Sequence, residues 1–185
     1  MLEYRFQPTG SQILSLCNLT HCRMRPVQEL GFAPLADKDR ETMLRRHIPY
    51  RVRLLLDAIK HIPARIWEDN RSFESGAVSG RMLLSFLGLG YDKASGGLAE
   101  DREHMPRRGP TDDVKAPDVG GRFVELSELT EDESETLAKF IHGANKACAH
   151  FTIGSEHELT VPIFQQAVPI ILRFLRDCLP PAPLP

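Results

Sequence analysis

His150 and Lys146 stand about one helical turn apart in the string Ala144-Asn-Lys-Ala-Cys-Ala-His150. No other pair in this chain is better suited to chemistry. An imidazole has an unperturbed pKa of about 6.5, so its acid and base forms are both available near neutral pH. A lysine ammonium beside it is a compact positive charge that can face an anion. The plainer reading is a solvent-facing or hydrogen-bonded histidine near a helix C-terminus, where the dipole favours its charge.

A second group consists of His142, His150 and His157 with Glu156 and Glu158. On a helix, His142 and His150 lie about 80° apart, a poor arrangement for sharing a metal without a ligand from elsewhere. His47 and His61 are the available donors, but Pro49 between them leaves their relative direction open. A metal-dependent hydrolase is therefore a third-ranked reading, and no metal ligands are assigned. Cys17, His21 and Cys22 lie close together without a second pair at zinc spacing. No phosphate-binding glycine loop, dinucleotide fingerprint or serine-hydrolase elbow occurs, and no cofactor is expected.

The element that must position His150 and Lys146 runs from Thr130 to Thr152. Thr130 and Glu133 have the spacing of a capping box, and Glu131, Asp132 and Glu135 favour the positive end of the helix dipole. Leu137, Phe140, Ile141, Ala144, Cys148 and Phe151 recur at steps of three and four, which makes one apolar stripe. Lys139, Gly143, Lys146 and His150 fall roughly opposite it.

The composition is that of a globular chain, with 42% hydrophobic residues in 185, enough for one core. No apolar run is long enough for a bilayer, so a cytoplasmic protein without a membrane partner is expected. The net charge of −2 hides an asymmetry. Residues 1–91 carry 13 Lys and Arg against 9 Asp and Glu, and residues 92–185 carry 10 against 16. Arg45, Arg46, Arg51 and Arg53 are the basic focus, able to meet phosphate or simply to form a solvated face. Four scattered cysteines do not make a disulfide framework, and Cys148 and Cys178 read as buried thiols.

The remaining elements are helical with one long interruption. Residues 1–35 read as an irregular arm. Asp37 can cap a helix to about His47; Pro49 should break or kink it; a second piece should cover 50–61. A long helix follows, from Ala64 or Ile66 to Leu87, stopped by Gly88 and Gly90. Its small residues, notably Gly76 and Gly80 on one face, call for close approach of another helix or of a ligand, because interior glycine is costly. Glu74 is expected to form ion pairs on that helix with Arg71 and Arg81. Residues 92–127 read as a long polar insertion, partly disordered over 93–118, with Arg122–Leu126 a possible strand. The last helix follows Thr160, carries Pro162 in its first turn and should kink at Pro169. Its apolar stripe runs from Phe164 to Cys178, and residues 180–185 form a proline-rich tail. The expected fold is thus all-α, a single domain over 36–179. It is a bundle of four principal helices, the first kinked, with an irregular insertion between the second and third.

Within such a bundle, Asn145 and His150 resemble the signature of the HEPN superfamily, all-helical domains associated with nucleotides and RNA. That signature is an arginine, often followed by a polar residue such as asparagine, then four to six residues and a histidine. In the arginine's place this chain has Ala144. The resemblance implies a metal-independent endoribonuclease site. His150 would act as general base or acid on a ribose 2′-hydroxyl, and Lys146 would replace the missing cation. It also implies a homodimer, an RNA or nucleotide partner and a role in a toxin or defence system, with Arg45, Arg46, Arg51, Arg53 and Lys139 as RNA contacts. The alternative is a non-catalytic helical protein-interaction module whose partner meets the 92–127 insertion.

Overall fold

The computed structural model describes residues 35–61, 70–101, 113–147 and 159–181. The arm at 1–34, the stretch that includes His150 and Cys148, and the end of the proline-rich tail lie outside them. Most of the described residues are helical. Helix α1 (Asp37–Thr42) passes through a π turn (Met43–His47) into α2 (Ile48–His61). Helix α3 (Asn70–Phe86) leads to a hairpin of β1 (Leu89–Asp92) and β2 (Gly97–Glu100), and α4 (Glu131–Ala147) and α5 (Val161–Cys178) follow. Among the described residues no helix is long and apolar enough to cross a membrane.

A break or kink is expected at Pro49; the chain stays helical from Asp37 to His61 but changes character there. The turn before the proline widens, and the Ile48 N–H bonds the Met43 carbonyl, five residues back. In an α-helix the proline ring would press on the carbonyl four residues earlier; the wider turn relieves that pressure and lets the helix continue. Asp37 also departs from expectation. Ala36 is the cap residue and makes no side-chain cap bond, while Asp37 sits in the first turn.

The core is built from the stripes read in the sequence. On α5, Phe164, Ala167, Val168, Ile171, Phe174, Leu175 and Cys178 are all buried, and the helix continues through Pro169. Phe164 is fully buried at the centre, with its ring 5.0 Å from that of Phe73 on α3 and 5.7 Å from that of Phe140 on α4. Helix α3 contacts α2, α4 and α5. Gly76 and Gly80 explain how closely it approaches them. A Cβ on Gly76 would collide with the Ala58 Cβ of α2, and one on Gly80 would lie 2.6 Å from Phe140 Cζ. The small-residue face is thus consumed inside the chain.

The described parts of the insertion, 92–101 and 113–127, carry structure that its polar composition does not predict. The β1–β2 hairpin pairs Leu89 with Glu100 and Tyr91 with Leu98. It occupies a place read as loop, whereas Arg122–Glu125 forms no strand. Residues Lys115–Val119 are buried around a 3-10 turn (Ala116–Val119), with Phe123 and Val124 buried beyond it. This segment is tied down by backbone bonds: Val124 N–H to the Leu87 carbonyl at 3.1 Å and Arg122 N–H to the Cys178 carbonyl at 2.9 Å. Short apolar groups such as Ala-Pro-Asp-Val lack a helical or strand period, so pattern reading overlooks them. Residues 102–112 lie outside the described part.

Candidate functional site

Helix α4 starts as the sequence requires. The Thr130 N–H donates to Glu133 Oε2 at 3.1 Å and the Glu133 N–H to Thr130 Oγ1 at 3.2 Å, which completes the capping box. Arg173 of α5 adds a two-pronged bond to the same carboxylate, at 2.7 and 3.1 Å. These contacts fix the rotation of α4, and with it the direction of the side chains near its far end.

At that far end Ala144 is only 1% exposed, within the core. A cation at this position would be buried among apolar side chains, at the high cost of desolvating a charge. The next residue faces outward. Asn145 is half-buried, and its Oδ1 accepts a 2.6 Å bond from Arg81 Nη1 of α3. A guanidinium therefore stands against Asn145, supplied by a neighbouring helix. The sequence predicts ion pairing for Arg81 on its own helix; the pairing across helices carries no sequence signal beyond its lying near the end of α3. Lys146 is half-buried beside Asn145, and His150 lies outside the described residues.

The hydrophilic side of α4 is not continuous. Gly143 is buried, and a Cβ there would lie 2.9 Å from the Cα and Cβ of Leu159, which leads into α5. Glycine admits the chain at that point. Lys139, one turn earlier, is exposed and pairs with Glu135 at 2.6 Å.

The other basic residues lie on the π turn and α2, and Lys139 of α4 is on a separate element. Arg45, Arg46 and Arg53 are exposed and Arg51 is half-buried. Arg45 Nε is 3.0 Å from Glu41 Oε1. Arg51 Cζ lies 5.7 Å from the centroid of the Tyr50 ring, within cation–π range.

His142 is directed to the hairpin, with its ring centroid 4.6 Å from that of Tyr91. Among the described residues no three His, Cys, Asp or Glu side chains form a group that could hold a metal.

One polar cluster went unread in the sequence. Lys115, 1% exposed, donates from Nζ to the Ser85 carbonyl and Ser85 Oγ at 2.9 Å each and to Asp101 Oδ2 at 3.1 Å. Ser85 Oγ donates to the same Asp101 oxygen at 2.8 Å. All three ammonium protons have acceptors. The cluster ties the end of α3 to both flanks of the insertion.

Against known proteins, the chain matches no family model, no curated protein and no solved structure.

Proposed function

We propose that this chain is a HEPN-like protein that associates with RNA or nucleotides through the end of α4, on a bundle of four principal helices. One observation carries the reading: the 2.6 Å bond from Arg81 to Asn145. It sets a guanidinium on Asn145, the residue that precedes Lys146 in the string that ends in His150. Arginine offers a planar fork for phosphate oxygens that lysine lacks. In this reading Arg81 supplies the cation that Ala144 cannot, Lys146 adds a second charge, and His150 moves the proton of a ribose 2′-hydroxyl. The homodimer stands on the resemblance to the superfamily, since the small-residue face of α3 is used within the chain.

The test measures binding and cleavage of a fluorescent RNA over a series of salt concentrations. Binding that weakens as salt rises, a further loss in Arg81→Gln, and no cleavage in His150→Ala are the expected results. Binding indifferent to salt, or absent, rejects the reading.

A second reading, a non-catalytic helical protein-interaction module, has its own supporting observation. Leu159 covers Gly143 on the side of α4 that carries Lys146, which narrows the room for a phosphodiester. Capture of a protein partner that is lost on deleting residues 93–118, with no RNA bound by the full chain, would favour this second reading, and a deletion without effect on that partner would remove it.

A further inference from the structure

The π turn and the first turns of α2 carry a surface that the Asn145 region does not explain. Between Glu41 and Asp57 the chain has four arginines and one histidine and no carboxylate. Ile48, Leu55 and Ala58 of α2 are buried in the core. At 100° per residue this turns Tyr50 and Arg53 away from the core, and Arg46 and His47 on the preceding π turn are exposed as well. Tyr50 is 46% exposed. Its ring has Arg51 near it at 5.7 Å.

The neighbouring acids are already engaged. Glu41 is paired with Arg45 at 3.0 Å and Asp57 with Lys60 at 3.3 Å. Arg46 and Arg53 have no partner among the described residues. They stand on either side of Tyr50 along the helix, separated by about 10 Å at 1.5 Å per residue. The π turn between α1 and α2 is a second feature of the kind that recurs at functional sites.

We infer that Tyr50, flanked by Arg46, Arg51 and Arg53, is a stacking platform for an unpaired base of single-stranded RNA. The flanking guanidiniums meet the phosphates on each side of that base. An exposed aromatic ring inside a cationic stripe suits this occupant: every base offers a π face, and the backbone on both sides is anionic. A duplex keeps its bases stacked inside and offers nothing to the ring. An acidic protein would satisfy the arginines but not the tyrosine. The inference rests on the RNA reading above and adds to it the strand type and a second contact surface, on a different helix from Asn145.

The experiment compares binding of a labelled single-stranded oligoadenylate and an RNA duplex of equal length to the full chain, across a salt series. The proteins are wild type, Tyr50→Ala, Tyr50→Phe, the double variant Arg46→Gln/Arg53→Gln, and Arg81→Gln. Circular dichroism and sedimentation confirm fold and oligomeric state for each. Tyr50→Ala should weaken single-strand binding about tenfold with little change in its salt dependence, and Tyr50→Phe should keep it. The arginine double variant should flatten the salt dependence by about one to two in log–log slope. Equal binding of the duplex, or no effect of Tyr50→Ala, overturns the platform. If in that case Arg81→Gln still weakens binding, the RNA reading stands without it. Loss for Tyr50→Ala but not for Arg81→Gln keeps the platform and removes the Asn145 site. No RNA binding by wild type removes both, and a Tyr50→Ala protein that instead loses a salt-sensitive dimer assigns the surface to a second copy of the chain.

Discussion

Lys115 Nζ lies 3.1 Å from Asp101 Oδ2, and both groups hydrogen-bond the Ser85 hydroxyl. Lys115 is 1% exposed and Asp101 18%, so the pair is largely withdrawn from solvent. Removing one partner of a buried pair leaves the other charge without compensation, at about 3–5 kcal/mol. Lys115→Met keeps most of the stem's volume and should cost about 3 kcal/mol, the lower end, because Asp101 retains some water. The double variant Lys115→Met/Asp101→Asn should recover much of that loss. Urea denaturation of the three proteins decides it, and a single variant as stable as wild type would show that the latch is dispensable.

Glu133 makes two kinds of contact at once, with the Arg173 guanidinium and with the cap of α4. The Arg173 bonds, with help from the Thr130 amide and against a smaller effect of burial, hold its carboxyl below the ordinary 4.5. A depressed folded-state pKa contributes stability above the unfolded value, and this is lost as pH falls through the folded one. Wild type should therefore lose stability as acid is added below about pH 4.5. Glu133→Gln should flatten this part of the profile. At neutral pH, Glu133→Ala should cost about 1–2 kcal/mol through the lost cap and its second anchor. Thermal melts across pH 3–7 (on the order of one reading per half unit) provide the check.

The stripes of α4 and α5 were legible because burial of a helix face imposes a three- and four-residue period, and every stripe residue on α5 is buried. The capping box was legible because its two residues are local. The π turn was not, since Pro49 announces an obstacle without stating how the backbone avoids it. The buried Lys115 cluster was also hidden: its members lie 14 to 30 residues apart, and a lysine reads as surface until its acceptors are known. For the candidate site, Asn145 and Lys146 could be picked out by residue type. Their neighbour Arg81 comes from 64 residues away in sequence, a contact that only the fold creates.

Two neighbours on α3 should respond oppositely to alanine. Gly76→Ala gains about 1 kcal/mol of helix propensity, but the new methyl meets the Ala58 Cβ and lies 3.3 Å from the Leu54 carbonyl. Neither of those is the end of a flexible side chain, so α2 and α3 must part, and overpacking of this kind costs about 1–3 kcal/mol. A net loss of about 0–2 kcal/mol is expected from the balance of the two. Ser79 is fully buried, and its hydroxyl has no partner among the described residues. Ser79→Ala removes an unsatisfied group that costs about 1–3 kcal/mol and leaves a space no larger than one oxygen, so it should stabilise by about 1 kcal/mol. Chemical denaturation of both variants tests this; stabilisation by Gly76→Ala would contradict the close approach of the two helices.

Asp118 responds to pH in the opposite direction from Glu133. Burial pushes its carboxyl above the ordinary 3.8, only partly opposed by the Lys115 N–H bond and the Lys115 charge. A raised folded-state pKa means that the folded chain holds the proton more tightly than the unfolded one. Its stabilising contribution is therefore full below the ordinary value and disappears as pH rises through the folded value. Above that window the charged carboxylate is a cost of folding. Asp118→Asn keeps an oxygen that can accept the 2.7 Å bond from the Lys115 N–H without bringing a charge into the core. The variant should match or exceed wild type at pH 7 and lose that advantage as the pH falls below the folded pKa. Denaturation at pH 7 and at about pH 3.5 separates the two cases: an Asn variant weaker than wild type at pH 7 would mean that the negative charge beside Lys115 outweighs the burial of Asp118.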